Sequence, residues 1–436
     1  MAAAVGVECI AQFSLATSSA LDVPRIDCEN SSTVQLLSEC RVPAILTRTV
    51  TTTAWPAATR WTDPDYITQH LPVLHDAYVA EASEECSSRL LAPDPSGEVV
   101  ATLSTSRFFE ADESAPIYFA RWFGYNALEH LRADAMPMRP LLIADGVGDH
   151  DEERRYFRLG SVGSVSSLHY DSYQNLFAQV SGQKQWWLLP PTSWQVAMGF
   201  PRGHERARQS PRSPVREWSA EEASAAGVIH VRTVPGEVLY VPPYWLHQTN
   251  TTHTSVAVNV WSPSREAQHA ATALSLTSEL HGTLLGSASK AAAMCVAARA
   301  VRAAAAALAP DEPGGLLEAI HAAQHAHLRP VSRRGGPRRA SASSNVDAPA
   351  PPAAAAAALA DDACGGPCEA PSATEAAGAE RIADAIRTRL PAGVAQLTLA
   401  DLLAELAEHV ASAVPPTWRG AKGKARAVRC LIALGG

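Results

Sequence analysis

Up to about residue 264 the chain is built from short runs of apolar and aromatic residues broken by turn residues; from Arg265 onward the runs lengthen and take on helical spacing. "EVLYVPPYWLHQ" and "SVAVNVWSP" read as short strands ended by proline or glycine. Between Arg265 and Leu308, alanine, leucine and serine recur without proline, and "AARAVRAAAAALAP" joins high helix propensity to a stop at Pro310. Residues 311–378, with "SRRGGPRRASASS" and "APAPPAAAAAALADDACGGPCEAP", hold few large apolar side chains and are expected to be a disordered linker. Beyond it Ile382, Ile386 and Leu390 share a helix face, and after "PAG" Thr398 with Asp401 resembles a cap leading into Leu402, Leu403, Leu406 and Val410. The predicted organisation is a flexible N-terminus (1–20), a strand-rich domain (21–264), a helical extension (265–310), the linker (311–378) and a small helical region (379–436).

Composition narrows this picture. A chain of 436 residues, 47% hydrophobic, has enough core for one large or two medium domains, and its net charge of -8 gives no electrostatic reason to expect direct nucleic-acid binding. The eight cysteines lack framework spacing, which argues for a reducing compartment rather than a disulfide-built module; "CGGPC" alone is a poor zinc site. No positive residue precedes Arg25, unlike a secretory or transit leader, and no apolar run reaches the roughly 18 residues of a membrane span. The expectation is a soluble protein of cytoplasm or nucleus with no membrane partner.

The densest chemistry lies in "SSLHYDSYQNLFAQVSGQKQWWLLPP". In an extended strand His169 and Asp171 share a face, where they could hold one ion. A hairpin closed at Ser181-Gly182 would pair Gln179 with Lys184 and bring Lys184 onto the face of Phe177, Asn175, Asp171 and His169. In "VPGEVLYVPPYWLHQTNTTHTSVAVNVW", the bend at Pro242-Pro243 delivers His247 as a candidate third ligand, with His253 a weaker rival in a polar loop. Two histidines and a carboxylate leave coordination positions open, as in non-haem iron oxygenases, and a nearby lysine suits an anionic cosubstrate. Zinc hydrolases share the ligand set but have no evident need for the lysine.

"GSVGSVSSLHYDSYQNLFAQVSGQKQWWLLPP" and "PGEVLYVPPYWLHQTNTTHTSVAVNVW" together resemble the JmjC (cupin-8 type) 2-oxoglutarate-dependent oxygenases, nearest to small protein hydroxylases such as the asparaginyl hydroxylase of hypoxia-inducible factor. The likeness extends over about residues 21–264. It implies a mainly β fold, a double-stranded β-helix (cupin, jelly-roll) core with flanking helices, followed here by a helical C-terminal region. It further implies Fe(II) held by His169, Asp171 and His247, and 2-oxoglutarate with its far carboxylate on Lys184, assisted by Ser166 and Tyr118, with Asn175 and Asn259 bordering metal and cosubstrate. The implied reaction converts 2-oxoglutarate and O2 to succinate and CO2 and places a hydroxyl on a carbon of a protein or peptide substrate. A homodimer through the C-terminal helices is an option carried over from related hydroxylases.

Two other functions stand beside the hydroxylase. A lysine demethylase would use the same metal chemistry but has no chromatin-reader module here, and a non-catalytic cupin binding module has no use for an intact triad and lysine. The basic, proline-broken stretch 202–218 reads as a surface insertion placed to line a substrate entrance.

Overall fold

A computed structural model of the chain describes residues 23–27, 39–47, 54–79, 100–136, 155–197, 199–200, 207–210, 215–286, 290–325, 368, 370–412 and 427–432. The N-terminal segment 1–20 lies outside them. The chain divides into two compact units, one comprising residues 1–200, 204–269 and 391–394, the other 201–203, 270–390 and 395–436.

The first unit is the jelly-roll core, built from eleven strands: β1 Arg25–Asp27, β2 Ala44–Thr47, β3 Val73–Val79, β4 Val100–Ser104, β5 Ile117–Trp122, β6 Arg155–Gly160, β7 Val165–Tyr170, β8 Gln174–Leu189, β9 Ile229–Thr233, β10 Val238–Val241 and β11 Leu246–Ser262. The order runs β1-β2-β10-β8-β11-β6-β5-β3-β4, with β7 added to β11 and β9 to β8. β8 and β11 pair antiparallel along nearly their whole length and change outer partners midway. The first part of β8 pairs with β10 and its last part with β9; β11 begins against β7 and ends against β6. The two long strands therefore pass from one leaf of the roll to the other.

The crossing corrects the expected hairpin. Ser181-Gly182 lies inside β8, and the positive φ of Gly182 (73°) serves a bulge, not a turn. A side chain at Gly182 would drive a Cβ to 2.0 Å from the Thr254 carbonyl oxygen, so only glycine fits. Opposite it, the register of β11 slips between Thr251 and Ala257. The polar stretch expected to be a loop is thus the exposed kink of a continuous strand, and His253 faces outward on it.

Aromatic and aliphatic side chains from β5, β6, β8, β10 and β11 pack with Trp55, Trp61, Ile67 and Phe108 from the preceding helical segments into the main core, where Trp61 meets Phe157 edge to face at 5.1 Å. Asp134, buried beneath them, accepts from Arg60, the Trp61 indole and the Tyr66 hydroxyl, so its charge is fully engaged. Part of the 202–218 stretch also belongs inside. Gln209 and Ser210 are buried, Gln209 bridges His169, and the Ser210 amide donates to the Leu168 carbonyl at 2.6 Å along the free edge of β7. The unpaired backbone edge of β7 draws these residues in, which charge content alone does not show.

The second unit is helical. Its helices are α1 Arg265–Gly286, whose first turn belongs to the sheet unit, α2 Lys290–Leu308, α3 Pro313–His325, α4 Ala373–Arg389 and α5 Ala392–Ser412. α3 and the start of α4 fall where a disordered linker is predicted. Leu317 and Ile320 are fully buried and supply α3 with the anchor that averaged composition hides, while Ser372 and Glu375 form a capping box that starts α4 early. Thr398 is no cap: α5 resumes at Ala392, and Thr398 is buried in its interior beside Leu397 and Leu402. Cys295 and Cys368 are disulfide-bonded, against the expectation of free cysteines. A pairing across 73 residues leaves no local spacing signature. Among the described residues no single helix is long and apolar enough to cross a membrane.

Candidate active site

A cavity of about 270 Å³ opens within the roll. His169 near the end of β7 and His247 at the start of β11 are directly paired across the two strands, which sets their rings 4.2 Å apart. Asp171 follows β7 in a turn pinned from two sides: its carbonyl accepts from the Tyr244 amide at 2.7 Å, and the carbonyl of the next residue, Ser172, accepts from the Ser264 hydroxyl at 2.7 Å. One ligand atom from each of His169, Asp171 and His247 lies within 4.8 Å of the others, the only such group of histidine, cysteine and acidic side chains among the described residues.

The ring orientation of both histidines would suit a metal ligand. Nδ1 of His169 is 2.7 Å from the Ser167 carbonyl and Nδ1 of His247 is 3.0 Å from the Trp245 carbonyl. A proton on each Nδ1 leaves Nε2 with its lone pair free, and Nε2 of His247 lies 3.8 Å from Asp171 Oδ2. Burial, reinforced by the neighbouring His169, pushes the His247 pKa down to about 4 against the pull of Asp171, so the ring is neutral at physiological pH. The donor set of two imidazoles and one carboxylate therefore fits a divalent transition metal.

Lys184 lines the same cavity, 2% exposed, with Nζ donating to Thr251 Oγ1 at 2.8 Å and lying 5.4 Å from the Tyr118 ring centre. It reaches the cavity because of the bulge. Before Gly182 the odd positions Asn175 and Phe177 face inward; after it the even positions Lys184 and Trp186 do. Gln179, expected on that face, instead braces the bulge: its amide donates to the Ser181 carbonyl and to Ser255 Oγ, and its oxygen accepts from Thr233. Gly160 on β6 clears the space, since a Cβ there would stand 3.1 Å from Lys184 Nζ and 2.9 Å from both Thr251 Oγ1 and Ser164 Oγ.

Ser166, Asn175 and Tyr118 line the cavity as well. Asn259 does not; it is fully buried behind the wall, its amide donating to Asn175 Oδ1 at 3.2 Å. Sequence reasoning missed Thr251, Thr249, Trp186 and above all Arg158, which projects from β6 into the cavity, donates from Nε to Asn259 Oδ1 and from Nη1 to the Tyr118 hydroxyl, and lies over the Trp261 ring at 5.2 Å. The alternation in "YFRLG" held the signal, for Arg158 and Gly160 share one face of β6.

The model of the cupin-like domain matches residues 35–266. Among curated relatives, the lysine-specific demethylase JMJ32 of Arabidopsis thaliana is 25% identical over 270 residues, covering 50% of this chain and 74% of that one. The bifunctional peptidase and (3S)-lysyl hydroxylase JMJD7 of Homo sapiens is 27% identical over 126 residues, covering 24% of this chain and 40% of its own length. The tRNA wybutosine-synthesizing protein 4 of Neurospora crassa is 36% identical over 98 residues, 22% of this chain and 8% of that protein. Apart from JMJ32, the matched region thus spans less than half of each of these relatives. With more than half of its residues matched by the family and the ligand cluster lying inside the matched region, the chain belongs to the cupin-like domain family in its JmjC form.

Proposed function

We propose that the protein is an Fe(II)- and 2-oxoglutarate-dependent oxygenase that hydroxylates a protein side chain. The observation that carries the reading is the convergence of His169, Asp171 and His247 within 4.8 Å in a cavity that also holds a buried lysine. His169, Asp171 and His247 would hold the iron, which would activate O2 with two electrons taken from 2-oxoglutarate and two from the substrate C–H bond, one oxygen atom going to succinate and one to the substrate. Lys184 supplies the charge partner for the cosubstrate's far carboxylate, with Ser166 placed to assist, and each binding event neutralises a cation that is costly to bury. Asn175 lines the cavity and would border metal and cosubstrate, and Asn259 donates to its Oδ1 from behind. Asp171 balances metal charge and moves no proton.

The names of JMJ32 and JMJD7 support a protein substrate. The name of the former also supports a second reading, lysine demethylation. The proposed compartment is cytoplasm or nucleus, and a homodimer through the C-terminal helices stays a proposal. The test is succinate formation from 2-oxoglutarate by full-length protein, followed by mass spectrometry of captured substrates. Hydroxylation adds one oxygen that stays on the product; demethylation releases formaldehyde. His169→Ala and Asp171→Ala should abolish metal-dependent succinate formation while leaving the circular dichroism spectrum unchanged, and turnover unaffected by both would sink the reading.

A further inference from the structure

Arg158 is a second cation in a cavity whose proposed cosubstrate needs only one. Its guanidinium is held by neutral groups: Nε donates to Asn259 Oδ1, Nη1 to the Tyr118 hydroxyl, and the plane rests 5.2 Å from the Trp261 ring centre and 5.6 Å from that of Tyr156. Among the described residues Nη2 has no hydrogen-bond partner and no carboxylate pairs with the group. An arginine fixed in this way has its fork set before a ligand arrives.

Resting on the oxygenase reading, we propose that Arg158 is the specificity determinant of the cavity and that the prime substrate is a peptide segment presenting an aspartate or glutamate, whose carboxylate docks on the Arg158 guanidinium. The charges point this way. A divalent metal and Lys184 together carry three positive charges, and Asp171 with doubly charged 2-oxoglutarate carries three negative ones. Arg158 then remains as one uncompensated positive charge in a partly buried site, and an anionic substrate removes the imbalance.

A lysine, the residue that the names of JMJ32 and JMJD7 carry, would bring its ammonium against Arg158, a like-charge contact that screening relieves poorly inside a cavity. A nucleic acid would bring many phosphates to a chain of net charge -8, whereas one carboxylate meets one recessed arginine. The partly exposed rings of Tyr78, Tyr156 and Trp261 line the same cavity, and aromatic surfaces of this kind are enriched where peptides and proteins dock.

The experiment uses full-length protein loaded with Mn(II) and 2-oxoglutarate, so that binding is read without turnover. Fluorescence polarisation compares labelled peptides in matched pairs, Asp against Asn and Glu against Gln, with a Lys peptide beside them. Acidic members should bind about tenfold tighter, an advantage that shrinks with added salt, disappears in Arg158→Gln and turns to the Lys peptide in Arg158→Glu. Calorimetric titration of 2-oxoglutarate into the Mn(II) protein should give Arg158→Gln an affinity within about threefold of the wild type, which also shows that the variant is folded, whereas Lys184→Met should lose about a hundredfold. Equal or undetectable binding of both members of every pair overturns the proposal. So does an Arg158→Gln variant that loses 2-oxoglutarate as Lys184→Met does, which would assign Arg158 to the cosubstrate. A short RNA that competes through Arg158 overturns the peptide class. Wild-type protein that fails to bind 2-oxoglutarate overturns the oxygenase reading itself, whatever the peptide pairs show.

Discussion

The two units of this chain bury different things. In the sheet unit Lys184, His247, Asn175, Asn259, Gln179 and Thr251 are all withdrawn from water, and each has a partner or a place on the cavity wall. In the helical unit the described buried side chains are alanine, leucine, isoleucine and valine together with Met294, Cys295 and Cys430, and among the described residues only Thr277 and Thr398 are buried polar side chains. Buried polarity is expensive, so a protein keeps it where chemistry requires it. The contrast places the polar groups of the candidate site in the sheet unit, while the described helices are apolar inside and are joined by Cys295–Cys368.

The most forceful way to test that contrast is to take away the buried cation. Lys184→Met should weaken 2-oxoglutarate binding by about a hundredfold, equivalent to about 3 kcal/mol, yet leave metal-free protein as stable as wild type or more so, because an apolar isostere carries no desolvation cost. Calorimetry and thermal melts read the two effects separately. A melt that falls together with the affinity would mean that the lysine is structural. On the helical side, Cys295→Ser closes no 73-residue loop and should cost the helices roughly 4 kcal/mol under non-reducing conditions. Cosubstrate affinity should stay within about twofold; a larger change would end the division of labour.

A third test uses acid. The His247 pKa lies at about 4 in the fold, below the ordinary histidine value of 6.5, so between those values the unfolded chain binds a proton that the folded chain does not. Stability contributed by the neutral ring is complete above pH 6.5 and is lost progressively toward pH 4, by roughly 3 kcal/mol at most. Urea unfolding of metal-free protein across that window, with His247→Leu as control, measures it, and an identical slope in both proteins would contradict the burial argument. Smallest of the four, Gly160→Ala should push the Lys184 ammonium off its position and weaken 2-oxoglutarate by about tenfold with little change in metal affinity.

Much of this was legible in the sequence where one residue type admits one use. That His169, Asp171 and His247 come together could be read from the His-x-Asp spacing and proline punctuation, although Asp171 stands in the turn after β7 and not on the strand as expected. What failed was the path between them. Gly182 signals positive φ, and positive φ serves a hairpin or a bulge equally well; only the antiparallel partner, far away in β11, decides. Arg158 escaped for a different reason, since a single arginine in a strand is ordinary until the fold shows which wall it stands on. The helical unit was obscured by averaging: Leu317 and Ile320 anchor α3 inside a stretch whose overall composition is that of a spacer.

The outward kink of β11 has a consequence for how such a cavity is tuned. Thr252, His253 and Thr254 are the stretch of that strand turned toward water, and they separate the half carrying His247 from the half carrying Asn259 and Trp261. A residue gained or lost at this joint would fall between the two ladders and inside neither, so the roll could be refitted to a new guest at its elbow without recasting its walls.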